Sequence, residues 1–407
     1  MRRRAWWSLL AFLGCVGIVA LMASAGLGVA AKDVVIGVVL PLSGPYAQNG
    51  QMGLWGAQFA ADQINASGGI KALGGAKLRL QVSDTGTASA GEVANITQRL
   101  IQSYHPSAIC GAWASPYTIA ASTVTERAKV PMLTQSFADQ ITERGYQYVF
   151  QLPAKAALMG QVSTDAVLDL AKAANYPIQT VATIADDTSS GKITAQAADA
   201  RFKSRGVNVA LEYFFPAGLT SATSIALRLL SVKPDLIFVA GALPDTVLLQ
   251  KTIREQGYRG PFLGSGGGNV TIQYGELLGP LSSGAFASAG WNWDMPGPAA
   301  KTFFKEFTER YKVPFPAQEA GEDYAIIYLV KEALEAAKSD DPQAVRDALT
   351  RLDITSGPAS VMSGGRVAFD ANGMNKHVLP VIIQWQDGLP RTVHPKEIAS
   401  AKARFNF

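Results

Sequence analysis

A short segment of small residues carries the most suggestive chemistry in this sequence. Residues 107–118 read SAICGAWASPYT, which predicts a buried strand over residues 107–111, a tight turn and the start of a helix. Ser115 takes the predicted N-cap position, and Pro116 takes the first helical position, where no N–H is needed. A helix start offers unpaired N–H groups and a positive dipole end, which favour anions. With Trp113 beside it, this segment is predicted to hold one end of a small ligand.

Patterns typical of catalysis do not accompany this segment. His105, His377 and His394 are far apart, and the sequence has no His-Glu-x-x-His, Gly-x-Ser-x-Gly or Walker motif. The glycine run at residues 264–268 lacks nucleotide-loop spacing, because Asn269 stands where the last glycine belongs. We therefore predict that the protein is not an enzyme and uses no metal or cofactor. An α/β enzyme without known motifs is the alternative.

The N-terminal residues have the pattern of a signal peptide. Three arginines precede an uncharged, largely apolar run that reaches Ala31, with small residues where a peptidase would cut. We predict residues 1–31 to be removed and the mature chain to be periplasmic, with a membrane-anchored ligand-sensing domain as the alternative. Cleavage lowers the formal net charge from +4 to +1 and removes Cys15. Cys110 is then predicted to be an inert buried thiol.

The rest of the chain alternates between strand and helix patterns. The apolar run at residues 34–40 predicts a strand buried on both faces, and helical spacing follows at Leu54, Ala57, Ala61 and Ile64. This rhythm restarts after residue 153 and predicts two α/β units with parallel sheets. Further strands are predicted at residues 77–82, 180–185, 207–214, 235–241, 261–264, 366–369 and 378–385, and late helices at residues 300–311, 319–337 and 342–352.

Loops after the predicted strands are rich in small polar and aromatic residues. In parallel α/β sheets, ligands bind beyond the carboxyl ends of the strands. Two such sets of loops facing one another would enclose a small molecule. The loops in question are at residues 45–49, 113–118, 135–139, 187–190, 241–243 and 264–268.

Four segments resemble the branched-chain amino acid binding proteins, the extracytoplasmic receptors of ABC importers. They are PLSGPYAQNG at residues 41–50, INASGGI at 64–70, TERGY at 142–146 and FDANG at 369–373. The resemblance implies a type I periplasmic-binding fold, with two Rossmann-like lobes joined by three crossing strands and closing by a hinge motion. It implies a first lobe of residues 32–152 plus about 285–377, and a second lobe of residues 153–284 plus about 378–407.

The resemblance also implies a ligand site. Ser115 would bind a ligand carboxylate, helped by the loop at Ser136 and Phe137. The family's acid for the ligand amine falls at Gly266, and its aromatic residues fall at Ser190 and Ala242. Without that acid, a buried ammonium is costly, unless Asp187 or Asp245 replaces it. The predicted ligand contacts are Tyr46, Trp113, Ser115, Ser136, Phe137, Ser189, Ser190, Ala242 and Gly266.

These expectations together define a monomeric receptor that captures a small ligand and delivers it to a membrane permease. We predict an aromatic or other apolar carboxylate as the ligand, because the amine-binding acid is missing from its aligned position. A branched-chain amino acid and a small amide such as urea are the alternatives. No Lys/Arg run or basic helix face indicates a nucleic-acid partner.

Overall fold

The first lobe is built on a strand whose first and last residues are those that the apolar pattern predicts. In this computed structural model, which describes residues 32–405, β1 is Val34–Leu40, and Ile36, Val38 and Leu40 are fully buried. The elements that follow in chain order are α1 (Ala47–Ala66), β2 (Leu78–Asp84), α2 (Ala90–Tyr104), β3 (Ala108–Gly111), α3 (Ser115–Ala128), β4 (Met132–Thr134) and β5 (Val149–Gln151).

The strands of this lobe form a five-stranded parallel sheet in the order β2-β1-β3-β4-β5. β1 lies in the interior of the sheet, with Ile36 beside Leu80 of β2 and Ala108 of β3. Because the strands run in the same direction, the loops after β1, β3 and β4 emerge at one edge. That edge carries the residues predicted to bind the ligand.

The second lobe repeats the alternation of helix and strand. Its elements in chain order are α4 (Ala156–Ala173), β6 (Thr180–Asp186), α5 (Ser189–Ser204), β7 (Asn208–Phe215), α6 (Thr223–Ser231), β8 (Leu236–Ala240), α7 (Leu243–Glu255), β9 (Phe262–Ser265), α8 (Ile272–Leu278) and β10 (Phe286–Ala289). Apolar side chains of β6 and β8 pack with Phe202 and Ala195 of α5 in one core. The strand β10 has no counterpart among the sequence predictions, because its residues are mostly Ala and Ser, which favour strands weakly.

The C-terminal part of the chain contributes to both lobes. It comprises α9 (Pro298–Tyr311), α10 (Gln318–Ala337), α11 (Pro342–Leu349), β11 (Asp353–Ile354), β12 (Val367–Ala368), β13 (Val381–Gln386) and β14 (Leu389–His394). α10 packs against α1 so closely that a Cβ at Gly56 would lie 2.2 Å from the Ala320 carbonyl oxygen. The hairpin β13–β14 instead extends the other sheet, whose order is β14-β13-β10-β9-β8-β6-β7.

The described chain therefore passes between the two sheets three times, after β5, after β10 and before β13. The first-lobe segment predicted to begin near residue 285 begins later, because β10 pairs with β9 and β13 of the second sheet. The architecture confirms the predicted fold class of two α/β lobes with parallel sheets. Among the strands of residues 32–405, antiparallel pairing is confined to the edge formed by β13 and β14 and to the small β11–β12 pair, and isolated antiparallel bridges join Ile70 to Ala76 and Phe369 to Asn375.

The predicted signal peptide at residues 1–31 lies outside the described residues. Within residues 32–405, none of the helices combines the length and the apolar character that a membrane crossing requires. Cys110 is buried and unpaired with any other cysteine in this part of the chain, as the sequence predicts.

Candidate ligand-binding site

A cavity of about 100 Å³ lies between the loops of the two lobes. This volume is below the roughly 300–1,000 Å³ that is common for sites of drug-sized molecules, so the space suits a small ligand. The first lobe lines it with Tyr46, Trp113, Ala114, Ser115, Pro116, Tyr117 and Phe137, and the second lobe lines it with Asp186, Thr188, Ser190, Ala242 and Gly266. The structure thus brings together most of the residues predicted from the sequence.

The start of α3 forms one end of this cavity, one residue away from its predicted position. Ala114, not Ser115, is the N-cap residue, and Ser115 is the first helical residue. The reason is a tertiary contact: the Ser115 hydroxyl accepts a hydrogen bond from the Ala138 N–H at 3.2 Å, instead of capping its own helix. Because this hydroxyl already accepts from the protein, its own proton is available to donate to a ligand.

Backbone N–H groups add to the donors at this end. The hydrogen bond from the Thr118 N–H to the Ala114 carbonyl closes the first turn of α3 at 3.0 Å. The N–H groups of Ser115 and Tyr117 precede that bond in the helix, while Pro116 has none. Together with the helix dipole, these donors suit a carboxylate or a carbonyl oxygen.

Trp113 is held against the cavity by contacts at both its backbone and its ring. Its φ of 62° lies in the left-handed region, which costs a non-glycine residue on the order of 1–3 kcal/mol, so the surrounding contacts must hold it there. The Trp113 carbonyl accepts a hydrogen bond from the Ser136 hydroxyl at 2.6 Å, and its indole N–H donates to Glu319 Oε1 at 3.1 Å. The ring lies 5.1 Å from that of Tyr46, centroid to centroid. Trp113 and Tyr46 therefore form one fixed aromatic wall.

Two of the predicted contact residues, Ser136 and Ser189, do not line the cavity. The Ser136 hydroxyl lies 2.6 Å from the Thr118 hydroxyl, and the Ser136 N–H donates to Thr134 Oγ1 at 3.1 Å. Ser136 therefore supports the site through Trp113 and does not present a donor to the ligand. The Ser189 hydroxyl is buried at the start of α5 without a hydrogen-bond partner among residues 32–405.

The second lobe presents an acid that the sequence analysis missed. Asp186, the last residue of β6, lines the cavity and is only 6% exposed. Burial raises the pKa of its carboxyl to about 6, aided by the charges of Asp245 and Asp187 and opposed by hydrogen bonds from Thr188. Gly266 does stand at the aligned position of the family's acid, but this wall offers an acid at a position that the sequence analysis did not consider. The sequence feature that points to Asp186 is its place at the carboxyl end of a parallel strand, where ligands bind. The predicted strand, however, ended one residue early, at Ala185.

Neither acid proposed as a replacement reaches the cavity. Asp187 is exposed, and its N–H donates to the Phe215 carbonyl at 2.9 Å. The Asp245 carboxylate is buried and accepts hydrogen bonds from the N–H groups of Gly218 and Leu219 at 3.0 and 2.7 Å. Asp245 thus fixes a loop of the second lobe, and Asp186 alone among these acids faces the cavity.

A second acidic group lies behind the aromatic wall. Glu319, Glu322 and Asp323, in the first turns of α10, are fully buried. Burial raises the pKa of each, that of Asp323 to about 7 and that of Glu322 well above its usual range. Asp323 accepts from Gln135 at 2.9 Å and from the Cys110 thiol at 3.0 Å, whereas neither oxygen of Glu322 has a partner within residues 32–405.

This arrangement is that of a two-lobed binding protein, and comparison with known proteins agrees. A model of the periplasmic binding protein family matches residues 33–387. A Leu/Ile/Val-binding protein homolog from Brucella melitensis is 30% identical over 388 residues, which cover 92% of this chain and 94% of the relative. The chain belongs to the periplasmic binding protein family, as the sequence resemblance predicts, and is a binding protein and not an enzyme.

Two solved structures share the fold. The substrate-binding protein of a branched-chain amino acid transporter from Streptococcus pneumoniae, in complex with isoleucine, has a TM-score of 0.77 and 22% identity, covering 88% of this chain and 98% of its own. A solute-binding protein of an ABC transporter from R. palustris, in complex with benzoate, has a TM-score of 0.78 and 18% identity, covering 92% and 98%.

Proposed function

We propose that this protein is the periplasmic solute-binding receptor of an ABC importer and that it captures a small apolar carboxylate between its lobes. The observation that carries the proposal is the cavity, because one of its ends is the start of α3 and its walls come from both lobes. Family membership supports the transport role, with a membrane permease as the partner and residues 1–31 as the export signal.

The carboxylate is assigned to the first lobe. The Ser115 hydroxyl and the N–H groups at the start of α3 supply donors, while Trp113, Tyr46 and Phe137 supply apolar walls. Aromatic rings of this kind bury apolar ligand surface, worth roughly 25 cal/mol per Å² removed from water. Benzoate and isoleucine, which the R. palustris and S. pneumoniae proteins hold, both combine a carboxylate with an apolar body.

Capture follows from the division of the site between the lobes. A ligand that contacts both walls binds the closed arrangement more tightly than an open one, so its binding shifts the population toward closure. The closed form, working as a monomer, is then the form that a permease would recognise. A ligand that contacts only the first lobe gives no such shift, because it has no differential affinity for the two states.

A thermal-shift panel tests this function with purified protein. Benzoate, leucine, urea and the uncharged benzamide are the probes, because they separate carboxylates from neutral carbonyl compounds. A ligand at 100 times its Kd adds about 2.7 kcal/mol to the free energy of unfolding. We expect at least one of the two carboxylates to raise the unfolding midpoint, and Ser115→Ala to reduce that rise. Stabilisation by urea or benzamide alone would contradict the proposal.

A further inference from the structure

The carboxyl of Glu322 lies where two of the three chain crossings between the lobes come together. Glu322 is fully buried in the first turns of α10, close to Gly290, the first residue after β10. A Cβ on Gly290 would lie 2.4 Å from Glu322 Oε1 and 3.1 Å from Cβ of Pro153, which belongs to the crossing after β5. It would also lie 3.6 Å from Cε1 of Phe137, a residue of the cavity wall. Glu322 is therefore beside both the hinge and the ligand site.

Packing does not explain a carboxyl group at this place. Neither oxygen of Glu322 has a hydrogen-bond partner within residues 32–405. The N–H of Gly290 already donates to Gln318 Oε1 at 3.2 Å, so the backbone of this crossing does not need Glu322. A buried polar group without a partner is costly, and an apolar side chain of similar volume would fill the space at a lower cost. The carboxyl thus has no structural task that the described contacts reveal.

The titratable groups around Glu322 are acids, and its other neighbours are neutral. Burial, together with the charges of Glu319 and Asp323 on the same helix, holds the pKa of Glu322 well above its usual range. From β3, the Cys110 thiol donates to Asp323, and burial keeps the pKa of that thiol high as well. α1 contributes the neutral amide of Asn49 at this end of α10. No ion pair within residues 32–405 involves any of these acids, so a proton is what can neutralise Glu322.

The second lobe covers the start of α10 in this closed arrangement. Gly267, in the loop after β9, lies so close that a Cβ there would be 3.4 Å from Trp113 Cζ2 and 3.7 Å from Glu319 Oε1. Separation of the lobes removes this cover and brings water to the cavity face of Phe137, beside Glu322. Because burial disfavours the charged form of a carboxyl, the closed arrangement retains a proton on Glu322 more firmly than an open one does.

We propose that Glu322 is a proton-linked switch for closure: capture of the ligand takes up one proton from the solvent at Glu322, and loss of that proton favours the open arrangement. The inference rests on the proposed function for the closing movement, to which it adds regulation by pH. Because the closed state binds the proton more tightly, ligand affinity is highest below the ordinary pKa of 4.5 and falls as pH rises toward the closed-state pKa.

Calorimetric titration in two buffers of different ionisation enthalpy counts the protons that binding takes up. With benzoate and leucine as probes, we expect the wild-type protein to take up roughly half to one proton for each ligand bound at neutral pH. Its affinity should accordingly fall by about three- to tenfold for each pH unit near neutrality. Glu322→Gln should take up almost no proton and keep a nearly constant affinity, because the amide cannot ionise.

Two further variants identify the group that takes up the proton. Glu276→Gln changes an exposed acid on α8 and should leave the proton count unchanged. Asp186→Asn removes the cavity acid whose pKa burial raises to about 6, and it should keep the proton count whatever its effect on affinity. If Glu322→Gln does not fold, the count in Asp186→Asn still decides between the two acids. Uptake that persists in Glu322→Gln, or that disappears in Asp186→Asn, would overturn the assignment.

Small-angle X-ray scattering of the ligand-free protein separates the switch from the proposed function. We expect the radius of gyration of the wild-type protein to increase from about pH 5 to about pH 8, as ionisation of Glu322 favours the open arrangement, and that of Glu322→Gln to stay constant. Carboxylate binding without proton uptake would overturn the switch and leave the receptor intact. Failure of every carboxylate to bind would overturn the proposed function, and the scattering would still decide the switch. A wild-type radius that does not change with pH would overturn it.

Discussion

The two walls of the cavity differ in the kinds of side chain that form them. The first-lobe wall consists of a helix start and aromatic rings, with Trp113 fixed by hydrogen bonds to its indole and its carbonyl. The second-lobe wall consists of small residues around one acid, Asp186. The first wall suits a carboxylate on an apolar body, a feature shared by many metabolites. The second wall offers a ligand small polar groups and one carboxyl, so the two walls differ in the contacts that they can make.

The largest effect is expected from a substitution that makes the first wall repel a carboxylate instead of binding it. Ser115→Asp places an acid in the first turn of α3, where it favours the helix dipole and where its oxygen can still accept from the Ala138 N–H. Folding should therefore be retained. Repulsion between two carboxylates should lower ligand affinity by more than about 100-fold, against about tenfold for Ser115→Ala. Calorimetry with leucine or benzoate measures both, and an unchanged affinity would contradict the first-wall assignment.

A smaller loss is expected from the acid behind the first wall. Glu319 Oε1 accepts hydrogen bonds from the Trp113 indole at 3.1 Å and from Asn49 at 2.7 Å. Glu319→Leu should release Trp113 and weaken ligand binding by about tenfold, because a buried donor loses its acceptor. Glu319→Gln keeps an acceptor oxygen at that place and should restore affinity. A double-mutant cycle with Trp113→Phe should show non-additive effects, and simple additivity would contradict this positioning role.

The buried acids of α10 predict how stability depends on pH. Burial raises the pKa of Glu322, so the folded state keeps a proton that the unfolded state releases above its ordinary pKa of 4.5. This group's contribution to stability is therefore complete below that value and is lost as pH rises toward the folded-state pKa. Each proton of this kind lowers the free energy of unfolding by up to about 1.4 kcal/mol for each pH unit between the unfolded-state pKa and the folded-state pKa.

Glu322→Gln tests that dependence, because the amide cannot ionise. We expect the unfolding midpoint of wild-type protein to fall as pH rises above about 4.5, the ordinary pKa of a glutamate, and the midpoint of the variant to fall less steeply. Glu276→Gln, which changes an exposed acid on α8 of the second lobe, is the control for general effects of charge. Parallel curves for the wild-type protein and Glu322→Gln would contradict the account.

The smallest effect is expected at the neutral part of the second wall. Ser190 lines the cavity, and its hydroxyl lies 3.5 Å from that of Thr188, a weak contact at best. Ser190→Ala should change ligand affinity by less than about threefold, since one neutral hydrogen bond is worth about 1 kcal/mol or less. A change as large as that expected for Ser115→Ala, measured by the same calorimetry, would contradict this minor role.

The sequence predicts most where a local pattern decides the structure. The apolar run of β1 and the helical spacing of α1 locate both elements, and the segment around Trp113 was identified from its turn and proline alone. Contacts that are distant in the chain account for the misses. The Ser115 hydroxyl turns to Ala138, and α10 is covered by α1 from more than 250 residues upstream.

The acid of the second wall was missed for a different reason. The family resemblance implies an acid at Gly266, whereas the acid in the structure comes from the end of another strand of the same sheet. Neighbouring parallel strands end at the same edge, so an acid can reach one cavity from any of several loops. Sequence position in a single loop therefore does not establish whether a site contains an acid.

The most direct test of the central claim is a crystal structure of the protein with the small molecule that co-purifies with it. We predict an occupant in the cavity with a carboxylate within hydrogen-bond distance of the Ser115 hydroxyl and the Tyr117 N–H. An occupant without a carboxylate, or one bound outside the residues that line this cavity, would contradict the account.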